Sequence, residues 1–156
     1  MNITSKTGNI LTPVDPINKV IVCHQVNCQG AMGAGLAKQI RTKHPGVYEV
    51  YKEKCDAGLA KIGDVQLVSC LSDGGYIIAN IFGQNRYGRD KRYTDYDGLR
   101  EAFSCLADCF PNATFRFPYK FGCGLAGGDW NVVLKIIKES FKDCKVEIWR
   151  LPDIKN

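Results

Sequence analysis

Hydrophobic positions recur with a period of two in some stretches of the chain and near 3.6 in others, and the two kinds of stretch alternate. Residues 19–25 are a β-branched run, Lys-Val-Ile-Val-Cys-His-Gln, that predicts a buried strand. Residues 34–43 read as a helix, interrupted by His44-Pro45-Gly46, and residues 47–56 as a second helix that stops near Gly58. Residues 64–69 alternate, with Val65, Leu67 and Ser69 on one face and Gln66 and Val68 on the other. Ser72-Asp73-Gly74-Gly75 predicts a hairpin-type turn into a buried strand over residues 76–82. Leu99, Phe103, Leu106 and Phe110 stand at helical spacing over 97–110, and Pro111 follows. Residues 113–117 form a strand with Phe115 and Phe117 on one face. Residues 129–141 form an amphipathic helix bearing Trp130, Val133, Ile136, Ile137 and Phe141, and residues 146–151 a final strand.

Strands separated by helices predict an α/β fold, a parallel or mixed sheet with helices on both faces. Ligands in such folds bind at the carboxyl ends of the strands. At 156 residues the chain suits one domain, and 45% hydrophobic content gives it enough apolar mass for a core without staples. The apolar clusters are far too short to span a bilayer, and the N-terminus lacks the apolar core of a signal peptide. These features predict a cytoplasmic protein with no membrane partner, and reduced thiols for its eight cysteines. Cys23 and Cys28 flank His24, but no Cys-x-x-Cys pair occurs and the spacing matches no structural zinc pattern, so no metal is expected. The net charge of +5 suits an anionic small molecule and a nucleic acid equally.

Two glycine-rich loops occupy equivalent places. Gly30-Ala-Met-Gly-Ala-Gly-Leu-Ala37 follows the first strand and opens the helix from Ala34, and Phe121-Gly-Cys-Gly-Leu-Ala-Gly-Gly128 precedes the helix from Asp129. Helix N-termini present unpaired N–H groups and a partial positive charge, and glycine lets an anion approach the backbone. Glycines also serve as mere turn-formers. Two such loops at equivalent strand ends favour a clamp around a diphosphate. Lys38 stands where a dinucleotide fingerprint needs its third glycine, and no Gly-Lys-Ser/Thr follows, which argues against a dehydrogenase and an ATPase.

These segments resemble the macro domain family, over nearly the whole chain. The resemblance implies a single domain over 1–156, a three-layer α/β/α fold with a mixed sheet of about six strands, and ADP-ribose as ligand or product with no separate cofactor. It implies that Asn9 and Ile10, in Thr7-Gly-Asn-Ile10, approach the adenine, where the family has an acidic residue at position 9. Asn27 would approach the distal ribose. Gly33, Ala34, Gly35 and Leu36 would wrap the phosphates from one side. Gly122, Cys123, Gly124, Leu125 and Ala126 would do so from the other. Trp149 would stack on the adenine. Within the family the likeness is to the ADP-ribose-1″-phosphate phosphatases and the terminal ADP-ribose glycohydrolases. The latter use a lysine and an aspartate where this chain has Gln84 and Ala126.

His24 has the residue type for acid–base work near neutrality, or for a hydrogen bond that supports the loop. Asp129 reads as a helix cap or as a carboxylate that orients water. Cys123 reads as a helix-terminal thiol or simply as a small residue. His44 reads as a surface residue. The basic run from Arg86 to Arg92 suits a solvated loop, the border of the pocket or a nucleic-acid contact. Three functions follow for comparison. The first is an ADP-ribose-binding hydrolase acting on a group at the distal ribose (a 1″-phosphate, an acetyl ester or an ADP-ribosyl conjugate). The second is a non-catalytic ADP-ribose reader, and the third a nucleic-acid module. Nucleic acid is expected as a partner only as part of a conjugate, and ADP-ribosylated substrate is the partner otherwise.

Overall fold

The computed structural model describes residues 2–86 and 90–152. It contains one six-stranded mixed sheet and four α-helices. The strands are β1 (Asn2–Thr7), β2 (Val20–Asn27), β3 (Val65–Cys70), β4 (Tyr76–Gln84), β5 (Thr114–Pro118) and β6 (Lys145–Arg150). The helices are α1 (Gly35–Lys43), α2 (Pro45–Asp56), α3 (Tyr96–Cys109) and α4 (Trp130–Ser140). The sheet order is β1-β6-β5-β2-β4-β3, parallel except for the antiparallel β3–β4 pair. Among the described residues no helix is long and apolar enough to cross a membrane.

The two faces of the sheet are read directly from the alternation of the central strands. Ile21 and Cys23 of β2, Ala79 and Ile81 of β4, and Phe115 and Phe117 of β5 pack under α3 and α4. Val20, Val22 and Val26 of β2 and Ile78 and Phe82 of β4 pack under α1 and α2. Phe141 of the α4 side lies with its ring centroid 4.6 Å from Phe115 and 5.4 Å from both Phe103 and Phe117.

β1 has no counterpart in the periodicity reading. Its sequence, Asn-Ile-Thr-Ser-Lys-Thr, carries one apolar side chain, and the strand is held at the sheet edge by parallel pairing with β6 alone. Backbone pairing rather than side-chain burial makes it a strand, and the exposed Lys6 suits an edge. β2 runs two residues beyond its expected end, which carries Asn27 to the strand terminus, and β4 likewise extends to Gln84. His44 is not a surface residue. It is 4% exposed, and its Nε2 lies 2.8 Å from the Tyr76 hydroxyl. Pro45 starts α2 directly behind it, so the two helices meet at a tight corner that turns His44 inward.

Truncating Phe141 to alanine removes ring contacts in the α3/α4 layer and is expected to cost roughly 3–5 kcal/mol. Leu67→Ala, on the half-exposed face of the edge strand β3, is expected to cost less than about 1 kcal/mol. Urea denaturation of both variants checks the contrast.

Candidate functional site

β2, β4, β5 and β6 run parallel and end at the same edge of the sheet, at Asn27, Gln84, Pro118 and Arg150. A groove crosses that edge. Its larger chamber, about 580 Å³, is lined from both glycine loops and from His24, Asn27 and Gln84. Its smaller chamber, about 360 Å³, is lined by Asn9, Ile10, Gly35, Tyr119, Trp149 and Arg150 among others. Leu36, Pro118 and Tyr119 border both chambers, so the two are consecutive parts of one groove.

The groove floor is rich in backbone donors. Ala34 caps α1 without a side-chain hydrogen bond. The N–H groups of Gly33, Ala34, Gly35, Leu36 and Ala37 have no protein partner among the described residues. The same holds for Gly124, Leu125 and Ala126 in the second loop. Rows of unpaired N–H groups at a helix start and in a turn make an anion-binding concavity.

The glycines divide into two kinds. Gly35 (φ +56°) and Gly122 (φ +70°) have left-handed backbones that the turns require. Gly33 and Gly124 lack that conformation, and a Cβ at either would meet no atom within 4 Å. The fold therefore demands neither of them. Both line the larger chamber, where a side chain would project into the space a ligand needs.

The two loops are not equivalent at their helices. Asp129 caps α4, its carboxylate accepting from the Asn131 N–H at 2.8 Å, and it lines neither chamber. Among the described residues only α1 presents an uncapped N-terminus to the groove. Cys123 also turns away: its N–H is bonded to the Lys120 carbonyl and its Sγ lies 3.2 Å from the Phe121 carbonyl. Burial pushes its thiol up to about 11, and the nearby Asp129 carboxylate adds to the rise, so the thiol stays protonated at neutral pH. Cys123 therefore acts as a small packed residue.

Asn27 organises the first loop. Its Oδ1 accepts from the Gln29 and Ala31 N–H groups and from the Tyr51 hydroxyl, and its Nδ2 donates to the Ala31 carbonyl. Tyr51, Pro118, Tyr119 and Arg150 went unnoticed in the sequence. Pro118-Tyr119 sits between a predicted strand and a glycine loop, and that position is the signal that marks it.

A chain of amides sets the state of His24. Gln66 Nε2 donates to the Val50 carbonyl at 3.1 Å, so its Oε1 faces Asn80 and accepts from Asn80 Nδ2 at 3.1 Å. Asn80 Oδ1 then faces His24 Nε2 at 2.5 Å, and that nitrogen must carry the hydrogen. His24 Nδ1 is left as a buried lone pair without a partner among the described residues. Burial pulls the His24 pKa down to about 4, partly offset by the Asn80 hydrogen bond, so the ring is neutral at physiological pH.

Gln84 and Ala126 both line the larger chamber. Gln84 Oε1 accepts from Gln25 Nε2 at 2.8 Å, and Gln84 Nε2 donates to the Arg86 carbonyl. Among the described residues no carboxylate lines either chamber. Among the described residues no cluster of three or more His, Cys, Asp or Glu is placed to hold a metal ion. In the basic loop, Tyr87, Gly88 and Arg89 lie outside the described residues. Arg92 lies 4.3 Å over the Tyr96 ring, and Tyr93 donates to Asp90. At the other end of the groove, Arg116 Nη1 donates to the Ile10 and Thr12 carbonyls (2.9 and 2.8 Å), and its guanidinium lies 4.7 Å from the Trp149 ring.

This sheet, with a donor-lined groove across its strand ends, has the fold of the macro domains, and the chain is similar in sequence to proteins named as ADP-ribose 1″-phosphate phosphatases. No family model matches it. It is 34% identical over 100 residues to the ADP-ribose 1″-phosphate phosphatase of Candida glabrata, covering 61% of this chain and 55% of that protein. The Saccharomyces cerevisiae protein of the same name is 24% identical over 182 residues, covering 96% and 99%. The DNA ADP-ribosyl glycohydrolase of Thermus aquaticus is 25% identical over 154 residues, covering 96% of this chain but 41% of that protein. The chain thus matches about half the length of the Candida relative and less of the Thermus one. Among solved structures, a protein of unknown function from Bacteroides thetaiotaomicron superposes with a TM-score of 0.85 at 26% identity, covering 96% and 98%. The macrodomain of Mycobacterium tuberculosis DarG gives 0.80 at 23%, covering 97% and 98%. Thermosipho africanus DarTG, solved in complex with ADP-ribose, gives 0.77 at 19%, covering all of this chain and 43% of that one.

The unfolded chain binds a proton at His24 near pH 6.5, whereas the fold refuses it until about pH 4. Stability therefore falls as pH drops through that window, by roughly 2–3 kcal/mol at pH 4.5 relative to pH 7.5. His44, whose pKa burial also lowers, acts in the same direction. Urea titrations at the two pH values are expected to show a smaller acid loss for His24→Gln than for the wild type.

Proposed function

We propose that the groove binds ADP-ribose and that the protein hydrolyses a group attached to the distal ribose. The observation that carries the binding reading is the pair Gly33 and Gly124, glycines that the fold does not require and that face the chamber. The diphosphate lies between the free N–H groups of Gly33 to Ala37 and those of Gly124 to Ala126. The adenine lies against Trp149 beside Asn9 and Ile10, and the distal ribose lies toward Asn27, Gln84 and Ala126. The names of the Candida, Saccharomyces and Thermus relatives support a substrate of this class, and the ADP-ribose complex of the Thermosipho neighbour supports the ligand.

Hydrolysis here uses a water held against the bound diphosphate. His24 lines the chamber and its Nδ1 lone pair has no partner among the described residues, which makes it the candidate base. Asp129, engaged as the α4 cap, serves the loop. The candidate substrates carry a 1″-phosphate, an acetyl ester or an ADP-ribosyl link at the distal ribose, and water would release phosphate, acetate or the attached partner from them, leaving ADP-ribose. One observation favours a second reading, the non-catalytic reader: among the described residues the chamber has no carboxylate, and Gln84 and Ala126 stand where the glycohydrolase branch has its lysine and aspartate.

Calorimetric titration of ADP-ribose is expected to give binding for the wild type and for Gly46→Val, whose Cβ also meets open space but lies in α2 outside the groove. Gly33→Val is expected to bind about tenfold or more weakly. Equal affinity for all three removes the diphosphate from this loop. Product release from the three conjugates, followed chromatographically, separates the enzyme from the reader. Release that scales with enzyme concentration and falls in His24→Gln is expected, and no turnover at high enzyme concentration leaves the reader.

A further inference from the structure

Among the described residues two that are not glycine have a left-handed backbone, Lys19 (φ +51°) and Lys120 (φ +61°). Lys19 closes the short turn Pro16–Asn18, its N–H on the Pro16 carbonyl, before β2 begins. Lys120 stands between β5 and the second glycine loop. The Phe121 N–H donates to the Pro118 carbonyl at 3.0 Å, and the Cys123 N–H donates to the Lys120 carbonyl at 2.9 Å. These are two successive turns. Each has a positive φ at its third residue, Lys120 in the first and Gly122 (φ +70°) in the second. Glycine takes that conformation without a clash at Cβ, so turns of this kind favour it there. The second turn follows the rule and the first breaks it.

The packing gives no reason for a lysine at this place. Lys120 is exposed, and among the described residues its ammonium has no carboxylate partner. The groove does give a reason. Among the described residues Lys120 is the only charged side chain lining the larger chamber, and Arg150 is the only one lining the smaller. The Lys120 ammonium lies 5.6 Å from the Tyr119 ring centroid, and the Arg150 guanidinium 3.8 Å from it. Tyr119 borders both chambers, so the two cations flank the place where they meet. The charge of Lys120 also reaches the second loop. There it opposes the rise that burial and Asp129 impose on the Cys123 thiol. A strained backbone beside a site is a reason to look for a role in that site. We propose that Lys120 is the counter-charge of the groove: its ammonium pairs with the ligand's diphosphate, and a glycine-favoured turn position carries a lysine for that purpose. This inference rests on the ADP-ribose reading above for the place of the diphosphate. It adds an ion pair to a set of contacts otherwise made by backbone N–H groups.

The test is calorimetric titration of ADP-ribose, at low and at high salt, into the wild type, Lys120→Met, Lys120→Arg and Lys120→Gly. Lys120→Met keeps the stem and the strained backbone and removes only the charge. It is expected to bind about tenfold more weakly at low salt, where an ion pair is least screened, and the gap to the wild type is expected to narrow at high salt. Lys120→Arg is expected to retain the wild-type affinity. Lys120→Gly is expected to lose the same affinity as Lys120→Met while its urea midpoint rises above that of the wild type, because glycine relieves the turn. Wild-type affinity in Lys120→Met overturns the proposal, as does a loss that Lys120→Arg shares or that salt leaves unmoved. A midpoint for Lys120→Gly below that of the wild type overturns the claim of strain. Failure of the wild type itself to bind ADP-ribose is a different result, because it overturns the placement of the nucleotide in the groove and this inference falls with it.

Discussion

Val20 to Val26 are packed from both sides of the sheet, apart from Gln25, so β2 can carry chemistry only where it ends. The same holds for β4 and β5. A parallel sheet covered on both faces sends every exit loop from the same edge, and loops that leave a strand and enter a helix have backbone N–H groups with no ladder to join. The groove is the consequence. Its floor is made of unpaired donors, and its shape is maintained by interactions that lie beneath it rather than in it.

Those supports are specific. Asn27 and Tyr51 hold the first loop, Arg116 holds the segment around Ile10, and Thr94 donates to the Gly122 carbonyl at 2.6 Å to hold the second. The amide chain from Val50 through Gln66 and Asn80 to His24 gives a neutral imidazole one tautomer inside the sheet. Each support satisfies buried polar groups that would otherwise lack partners, which makes the donor array rigid before any anion arrives. The asymmetry between the loops follows from one residue. Asp129 consumes the N-terminus of α4, and α1 has no such cap, so α1 carries the helix-end field and the second loop contributes N–H groups alone.

Much of this was legible in the chain. Period-two and period-3.6 stretches located five of the six strands and all four helices, because each buries an apolar face. β1 escaped because it buries almost nothing and owes its place to backbone pairing. The glycine loops were legible as loops, but their two kinds of glycine were not: a positive φ and an empty Cβ environment are three-dimensional properties. His44 was misplaced because a polar residue before proline reads as a corner, and its burial against Tyr76 depends on a strand 32 residues away. Arg116 offered a signal in Phe-Arg-Phe, a charge on the second face of a buried strand. The amides of Gln66 and Asn80 offered none, since a buried network has no period.

The central claim is that the free N–H groups of the two loops, and not the basic loop or the far edge of the sheet, receive the ligand. Amide chemical-shift mapping with ADP-ribose tests it directly. The account predicts the largest shifts at Gly33 to Ala37 and Gly124 to Ala126, with the Trp149 indole N–H moving in the same titration. Shifts concentrated around Arg92 to Arg100, or at the opposite ends of the strands near Lys19 and Ala113, would contradict it.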